Sequence, residues 1–402
     1  MAQEGYEVIV IGGGLLGAAV AAAAAQAGNA TLLLEARGKG HSEGSSHGHS
    51  RIIRTLSSEA AVFADMARVS FHRMHALNTP SRTIVRKVPA IFITRNSSPA
   101  FEALMRADPS AERLAAADLL KRYGLKVNEN DVGMVDPTSG VFDPAALLEV
   151  LYETIGRHGG TVRFETSVTR WEANGAGIIV HTGKGEARRA KKLVMAGGGW
   201  MPELLERGTV DLDVKRRLGA MKLERIPLFY FDYPEAMGPL ILVTLFPDSG
   251  YPDMYAMPEW APESGKSASA NGKPRYLKVG FHKGTPASRP SEVCRSVQHL
   301  EVRYATEYLE SLLGRALTLQ KTGVCLYALP PDPRRPGDET AYNELPLLGA
   351  LPKTPGVYLA AYGGGICAKH ALALGDALWN LMQGETDPGE LDDFNPARLM
   401  VS

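Results

Sequence analysis

Cysteine is scarce in this sequence, and neither sign of charge is in excess. The 402 residues include three cysteines, Cys294, Cys325 and Cys367, and no two of them have the spacing of a metal site or of a redox-active CxxC motif. We therefore expect no bound metal and a reducing compartment. Lysine plus arginine and aspartate plus glutamate both number 44, so the formal net charge is zero. This balance argues against nucleic acid or an anionic membrane as the main partner, because either favours a basic surface.

Long hydrophobic runs are also rare. Residues 8–25 form an apolar stretch, but acidic residues precede it and glycines interrupt it, which is unlike a signal peptide. No other apolar run is long enough to span a bilayer without a charge or a proline. Residues 399–402 do not form a peroxisomal signal of the SKL kind. We expect a cytoplasmic protein with neither a membrane nor a nucleic-acid partner.

A glycine-rich turn follows the first hydrophobic strand. Residues 8–11 (VIVI) lead into GGGLLG, an alanine-rich helix and a second strand that ends at Glu35. In such a βαβ unit Gly12 permits the sharp turn, Gly14 lets the backbone approach a pyrophosphate, and Gly17 lets the helix pack closely on the strand. Glu35 stands 18 residues after Gly17, where its carboxylate can accept hydrogen bonds from both ribose hydroxyls. The pattern predicts a dinucleotide site at the N-terminus of the helix.

Later segments favour FAD over NAD as the dinucleotide. Residues 194–200 (VMAGGGW), which include Gly197, form a hydrophobic strand that ends in small residues. Flavoproteins of the glutathione-reductase type bring the chain back under FAD at such a strand, and the position of Val168 is where they contact the adenine through the backbone. Farther along, another strand leads through Gly364 and Gly365 into a helix, a second place where backbone N–H groups can meet the cofactor.

The middle of the chain has a different strand pattern. Alternating apolar and aromatic residues at 228–231, 240–246 and 276–281 predict a second, mainly antiparallel sheet, and residues 259–274 and 330–343 are interpreted as surface loops, the first of them mobile. We expect an α/β fold in which a glutathione-reductase-type, FAD-binding Rossmann domain is interleaved with an α+β substrate domain built on that sheet. The predicted FAD-binding domain takes residues 1–85, 143–218 and 320–402, and the substrate domain takes 86–142 and 219–319.

Four further segments carry a resemblance to a known family. They are SSHGHSRIIR at 45–54, LKVGFH at 277–282, GVCLY at 323–327, and the glycine turn, lysine and helix at 360–378. In this order they resemble the monomeric sarcosine oxidase and N-methyltryptophan oxidase family, whose members are flavoenzymes that oxidise N-methyl amino acids. The joint pattern is more specific than any single segment because it spans nearly the whole chain.

The resemblance implies a role for each matching position. Cys325 would form a thioether link to the flavin, and Arg54 and Lys369 would bind the carboxylate of the substrate. Lys278 would be the cation beside the flavin that assists its reaction with oxygen. The other positions would line the flavin and substrate cavity, namely Arg51, His282 and Tyr255 as catalytic groups, Tyr327 against the substrate and His47 against the flavin.

The chemistry of these residues agrees with the implied reaction. An arginine and a lysine can neutralise and orient a carboxylate, and cationic surroundings favour the neutral form of an amine. An ammonium group stabilises the anion that forms as dioxygen accepts an electron. We therefore expect a monomeric amine oxidase that converts the C–N bond of a secondary (N-alkyl or cyclic) amino acid to an imine and reduces O₂ to H₂O₂.

Alternatives remain open at this point. They are an FAD amine dehydrogenase with another acceptor, an oxidase of fructosyl or primary amino acids, and a non-catalytic flavin-binding subunit. Ile366 and Cys367 stand where the family usually has histidine and glycine, and His49 stands where sarcosine oxidase has an acid. With the two long loops, these departures leave the identity of the amine open.

Overall fold

The computed structural model describes residues 5–56, 61–174, 177–245, 253–260, 272–335, 341–385 and 391–400. The strands within these residues are β1 (Gly5–Ile11), β2 (Thr31–Leu34), β3 (Arg51–Ile53), β4 (Val85–Lys87), β5 (Ala90–Arg95), β6 (Glu112–Ala115), β7 (Asp131–Asp136), β8 (Gly140–Phe142), β9 (Thr161–Arg163), β10 (Val168–Asn174), β11 (Gly177–Thr182), β12 (Ala187–Met195), β13 (Lys222–Asp232), β14 (Ile241–Leu245), β15 (Met254–Glu259), β16 (Tyr276–Phe281), β17 (Thr285–Ala287), β18 (Leu319–Leu329), β19 (Leu347–Ala350) and β20 (Val357–Ala361). The α-helices are α1 (Leu15–Gln26), α2 (Ala61–Ala76), α3 (Pro99–Ala107), α4 (Ala116–Tyr123), α5 (Pro144–Arg157), α6 (Met201–Glu206), α7 (Leu212–Gly219), α8 (His299–Leu313) and α9 (Cys367–Gln383).

The first sheet has eight strands, with β1 near its centre. β1 pairs in parallel with β2 and with β12, and β12 pairs in parallel with β20. Val8, Ile9 and Val10 have no exposed surface, as expected for a parallel strand that is covered on both faces. Helices α1, α5 and α9 share a hydrophobic core with one face, and α6 and α7 share one with the other. The parallel strands therefore end at a common edge, which is where such sheets bind ligands.

The second sheet has nine strands and is mainly antiparallel. Its long strand β13 pairs with β16, β17 and β18. Leu309 and Leu312 of α8 pack into one core with Phe229 and Phe231 on one face of this sheet. Because side chains alternate along a strand, Cys325 lies on the opposite face of the sheet, together with Ile226 and Leu228.

Strand β18 lies between the two sheets. The sequence groups residues 320–402 with the FAD-binding segments, yet β18 pairs along its length with β13 of the second sheet. Val324 and Leu326 of this strand pack into the core of the first sheet, and Cys325 packs with Ile226 and Leu228. The strand thus contacts both parts of the fold, a position that its alternating sequence does not reveal.

The sequence predicted a surface loop for residues 259–274, but this prediction is wrong for Glu259. It is the last residue of β15, lies opposite Tyr276 of β16, and has 1% of its surface exposed. Residues 261–271 of the predicted loop lie outside the described residues, as do residues 336–340 of the segment 330–343. The strand continues through Glu259 because buried polar groups satisfy its carboxylate, which we describe below.

A small sheet of strands β3, β8 and β4 connects the two larger parts. It holds Arg51 at the start of β3, directly after the segment 45–50. Next to it, α5 begins at Pro144, where the Asp143 side chain accepts hydrogen bonds from the backbone N–H groups of Ala145 and Ala146. None of the described helices is both long enough and apolar enough to cross a membrane.

Candidate functional site

A cavity of about 530 Å³ lies at the carboxyl edge of the first sheet, and we call it the central cavity. Its wall is formed by the glycine turn, the end of β2, the segment 44–49, the start of α5, and the strand β18. Every predicted cofactor-binding residue lines it, namely Gly12, Gly14, Gly17, Glu35, His47, Val168, Gly197, Cys325, Gly364 and Gly365. Arg51 and Tyr327 also line the central cavity, whereas Lys278, His282, Tyr255, Arg54 and Lys369 lie outside its lining.

The glycine turn has the close contacts that the motif predicts. Gly12 has a φ of +110°, and a Cβ atom on it would lie 2.3 Å from the Ala196 carbonyl oxygen. A Cβ atom on Gly17 would lie 2.1 Å from the Gly12 carbonyl oxygen. The turn therefore tolerates no side chain at either position, and its backbone stays open to the cavity.

Side chains from three other segments form hydrogen bonds with the backbone of this turn. Glu35 Oε2 accepts a hydrogen bond from the Gly13 N–H at 2.7 Å, and its Oε1 accepts one from the Arg37 N–H at 2.8 Å. The first N–H of α1, on Leu15, donates to Ser46 Oγ at 3.1 Å. Tyr152 of α5 donates its hydroxyl to the Gly13 carbonyl at 2.5 Å. Ser46 and Tyr152 were not predicted, because neither lies at a position that the glycine motif defines.

His47 presents an unsatisfied nitrogen at the cavity wall. Its Nε2 is buried, and no hydrogen-bond partner for it lies within the described part of the chain. Burial, followed by the nearby Arg51 and Lys278 cations, lowers the pKa of His47 to about 3, so the ring is neutral at physiological pH. A buried polar atom without a partner is costly unless a ligand satisfies it. A flavin with its ring nitrogens and oxygens fits this requirement, and the open glycine backbone fits its pyrophosphate.

Two cations converge on one backbone oxygen beside the central cavity. Lys278 Nζ and Arg51 Nη1 each donate to the Ser50 carbonyl oxygen at 2.8 Å. Burial, and then the charge of Arg51, lowers the pKa of Lys278 to about 7. Its ammonium form is therefore in equilibrium with the free amine near neutral pH, which is unusual for lysine. The sequence predicted both cations but not the carbonyl that joins them.

Aromatic residues form the wall next to these cations. Tyr255 contacts the ring of His282, with 5.5 Å between the ring centroids, and forms a side-chain hydrogen bond with Tyr327. Burial raises the pKa of Tyr255 above its usual value, so its hydroxyl stays protonated. A Cβ atom on Gly280 would lie 2.4 Å from the Tyr255 hydroxyl, and one on Gly365 would lie 2.7 Å from the Tyr327 ring. Glycine at these two positions makes room for the tyrosine pair.

Arg54 and Lys369 occupy different elements. Arg54 follows β3, where its Nη1 donates to the Leu56 carbonyl at 3.1 Å and its guanidinium lies 5.2 Å from the centre of the Phe92 ring. Lys369 lies in the first turn of α9 and is 5% exposed. Their predicted joint binding of a carboxylate remains a prediction.

The two cysteines that line the central cavity have different surroundings. Cys325 Sγ lies 3.8 Å from Arg51 Nη2 and 3.9 Å from the Ser45 carbonyl oxygen. Cys367 begins α9, and burial raises the pKa of its thiol to about 12. The N-termini of α9 and α1 both lie at the cavity, where their backbone N–H groups and helix dipoles favour a bound anion.

Comparison with known proteins supports the predicted identity of this fold. A family model described as FAD dependent oxidoreductase matches residues 7–381. The monomeric sarcosine oxidase of Streptomyces avermitilis is 26% identical over 338 residues, which cover 81% of this chain and 83% of that protein. The N-methyl-L-tryptophan oxidase of Yersinia pestis is 23% identical over 411 residues, which cover 98% of this chain and 99% of that protein.

A solved structure shows the same fold. NikD in its open form, described as an unusual amino acid oxidase essential for nikkomycin biosynthesis, has a TM-score of 0.79 at 20% identity, and the match covers 98% of each chain. The predicted fold class and the resemblance to sarcosine and N-methyltryptophan oxidases are thereby confirmed. Since the family model spans nearly the whole length and the cavity suits a flavin dinucleotide, this chain belongs to the family of FAD-dependent oxidoreductases.

Proposed function

We propose that the protein oxidises the C–N bond of a secondary amino acid to an imine and passes the electrons to dioxygen. The substrate loses two electrons and two protons, and dioxygen takes up two electrons and two protons to become hydrogen peroxide. The names of two relatives support this choice, because sarcosine and N-methyltryptophan are both N-methyl amino acids. FAD supplies the two-electron chemistry when it is bound, and the protein supplies position and electric field.

The observation that carries the proposal is the pair of cations beside the central cavity, the buried Lys278 and the half-buried Arg51. Lys278 and Arg51 share the Ser50 carbonyl, so both charges are fixed in position before any reaction begins. Such fixed charges stabilise negative charge that develops on dioxygen as it is reduced. They also disfavour a third cation, and a substrate amine nearby is therefore held in the neutral form that can be oxidised.

Arg54 and Lys369 are the proposed ligands of the substrate carboxylate. The contact of Arg54 with Phe92 fixes the plane of its guanidinium, which can then form two parallel hydrogen bonds with a carboxylate. Lys369 is buried in the first turn of α9, where the helix N-terminus also favours an anion. Tyr255, Tyr327 and His282 would form the wall that positions the carbon and nitrogen of the substrate.

Cys325 is the proposed point of covalent attachment for FAD. It lies in the cavity wall beside Arg51, whose positive charge stabilises negative charge on the sulfur. Attachment would replace a C–H bond of a flavin methyl group by a C–S bond, and the two electrons released would pass through the flavin to dioxygen.

The experiment is to record the visible spectrum of the protein without oxygen while candidate amines are added. We expect sarcosine, L-proline, L-pipecolate or another secondary amino acid to bleach the flavin, and admission of air to restore the colour with formation of peroxide. Bleaching that persists in air would indicate a dehydrogenase with another acceptor. Bleaching by fructosyl or primary amino acids alone would contradict the proposed substrate class, and no bleaching by any amine would contradict catalysis of this kind.

The same titration tests the carboxylate ligands. Lys369→Met is expected to raise the concentration for half-maximal bleaching by about tenfold or more, because a charge-assisted hydrogen bond is lost. Lys121→Met on the exposed face of α4 is the matched control and should leave that concentration unchanged.

A further inference from the structure

A buried carboxylate lies behind the two cations. The Ser50 side chain has no exposed surface, and its hydroxyl donates to Glu259 Oε2 at 2.6 Å. The carbonyl of the same residue accepts the hydrogen bonds of Lys278 and Arg51. Ser50 is therefore tied to Glu259 on one side and to both cations on the other.

The strand register explains how Glu259 reaches this position. Glu259 of β15 lies opposite Tyr276 of β16, and Met257 lies opposite Lys278. Residues two apart on a strand share a face of the sheet, so Glu259 and Lys278 are diagonal neighbours on the face towards the central cavity.

The charges at this place would otherwise repel one another. Lys321 of β18 adds a third cation, whose Nζ lies 3.6 Å from Glu259 Oε1. Two cations on one carbonyl oxygen, of which Lys278 is buried, require an opposite charge to compensate them, and a buried carboxylate likewise requires polar partners. Glu259 meets both requirements, since it offsets the cations and accepts the Ser50 hydroxyl.

We propose that Glu259 is a positioning residue for the oxygen reaction: through the Ser50 hydroxyl it fixes the carbonyl on which Lys278 and Arg51 converge, and its charge keeps Lys278 protonated there. This inference rests on the proposed function, in which the Lys278 ammonium assists the reduction of dioxygen. In that half-reaction dioxygen receives two electrons and one proton from the reduced cofactor and a second proton from solvent, and becomes hydrogen peroxide.

The groups that face Lys278 determine the direction of each expected change. Arg51 on β3 and Lys321 on β18 lower the pKa of Lys278, whereas Glu259 on β15 raises it, as does the Cys325 sulfur on β18 when it is not linked to the flavin. The ring of Tyr230 on β13 lies 5.8 Å from Lys278 Nζ. Removal of the Glu259 charge should thus lower this pKa, and removal of the Lys321 charge should raise it.

The test follows reoxidation of the flavin as a function of pH. The cofactor of the intact protein is reduced by light with oxalate as the electron donor, in the absence of oxygen and amine, and is then mixed with oxygenated buffer. The rate should fall as pH rises through the pKa of Lys278, because the ammonium is lost. We expect Glu259→Gln to move the midpoint of this fall by about one pH unit to lower pH, and Lys321→Met to move it to higher pH.

Two further variants separate the effect of the Glu259 charge from its effect on the position of Ser50, and from the effect of removing any buried carboxylate. Ser50→Ala keeps every charge but removes the tie to Glu259, so the rate at low pH should drop several-fold while the midpoint stays. Glu224→Gln is the matched control, since Glu224 is also a buried carboxylate and is paired with Lys222 on β13. Lys278 lies opposite Tyr230, and Glu224 is six residues, roughly 20 Å, from Tyr230 along that strand. Its profile should equal that of the unmodified protein.

A second readout requires no reaction. The visible spectrum of the oxidised holoprotein, titrated without substrate, should show the same order of midpoints, because a nearby charge alters flavin absorption. Equal profiles for Glu259→Gln and Glu224→Gln, or shifts of Glu259→Gln and Lys321→Met in the same direction, would overturn the inference. If Glu259→Gln does not fold, Ser50→Ala decides, because an unchanged rate at low pH in that variant would overturn the inference.

The outcomes also separate this inference from the proposed function. Light reduces the flavin whether or not an amine does, so an enzyme that no amine bleaches contradicts the proposed function and leaves the pH comparison intact. An unchanged Glu259→Gln profile overturns the inference and leaves amine oxidation standing.

Discussion

At the scale of single residues, two cysteines face one cavity and differ in what surrounds them. Burial raises the pKa of Cys367 to about 12, so its thiol stays protonated and is a poor nucleophile. Cys325 lies 3.8 Å from the guanidinium of Arg51, and its strand places it on the face towards the cavity. The two sulfurs thus differ in their immediate neighbours, although both line the same cavity.

This difference predicts which cysteine holds the flavin. Cys325→Ser should release all of the FAD on acid precipitation, whereas the unmodified protein and Cys367→Ser should keep yellow colour in the precipitate. Absorbance of the pellet and of the supernatant measures the two fractions. Covalent flavin in Cys325→Ser would show that the attachment is elsewhere, and its loss in Cys367→Ser alone would identify the other cysteine.

The residues that the sequence could identify are those with a local backbone signal. Gly12 and Gly364 stand at turns where φ is positive, Gly17 lies in the first turn of α1, and all three line the central cavity. Glu259 has no such signal, because its partner Ser50 is 209 residues away in sequence. A glutamate before a stretch rich in serine and glycine resembles the start of a loop, whereas the burial of Glu259 depends on contacts with β16, Ser50 and Lys321 that the local sequence does not reveal.

At the scale of elements, the crossing of α1 and α9 determines how close the two helix N-termini lie to the cavity. Gly375 of α9 packs against α1, and a Cβ atom on it would lie 2.7 Å from Ala19 Cβ and 2.9 Å from the Ala19 carbonyl carbon. The alanine-rich sequence of α1 provides the matching flat surface. Any side chain at residue 375 must push the helices apart.

Gly375→Ala is therefore expected to destabilise the protein by about 1–3 kcal/mol, as overpacking does in a close contact. Gly156→Ala is the control, because Gly156 is exposed in α5 with nothing within 4 Å of the added Cβ position, and alanine there should stabilise by at most about 1 kcal/mol. Urea unfolding followed by circular dichroism measures both. Equal stability of the two variants would show that α1 and α9 separate without cost.

Strand β18 could be predicted as a strand, but its pairing partner could not. Alternation in residues 319–329 indicates a strand, but both faces of this strand are packed. Val324 packs with the first sheet, and Cys325 faces the central cavity. Assignment to one domain depends on pairing with β13, a contact between residues about a hundred positions apart. Long-range pairing has no signature within the strand itself.

At the scale of the whole molecule, the central cavity is the place where distant parts of the chain meet. Its wall includes the glycine turn, residues 44–49, the start of α5, the segment after β12, strand β18 and the start of α9. A ligand that contacts all of these segments binds the folded chain and has little affinity for the unfolded one. By mass action such a ligand stabilises the fold by about 4 kcal/mol when its free concentration is a thousand times its dissociation constant.

Removal of FAD should accordingly weaken the molecule as a whole and residues 38–50 most of all. This segment has no regular secondary structure, lines the cavity, contains a trypsin site at Lys39 and is flanked by sites at Arg37 and Arg51. In the Cys325→Ser protein, from which we expect FAD to be removable, removal should lower the urea midpoint and open these sites to trypsin before others. Addition of FAD should reverse both effects in proportion to its concentration. Equal midpoints and equal cleavage with and without FAD would show that the cavity wall is stable by itself. The cofactor would then contribute to the reaction but not to the free energy of unfolding.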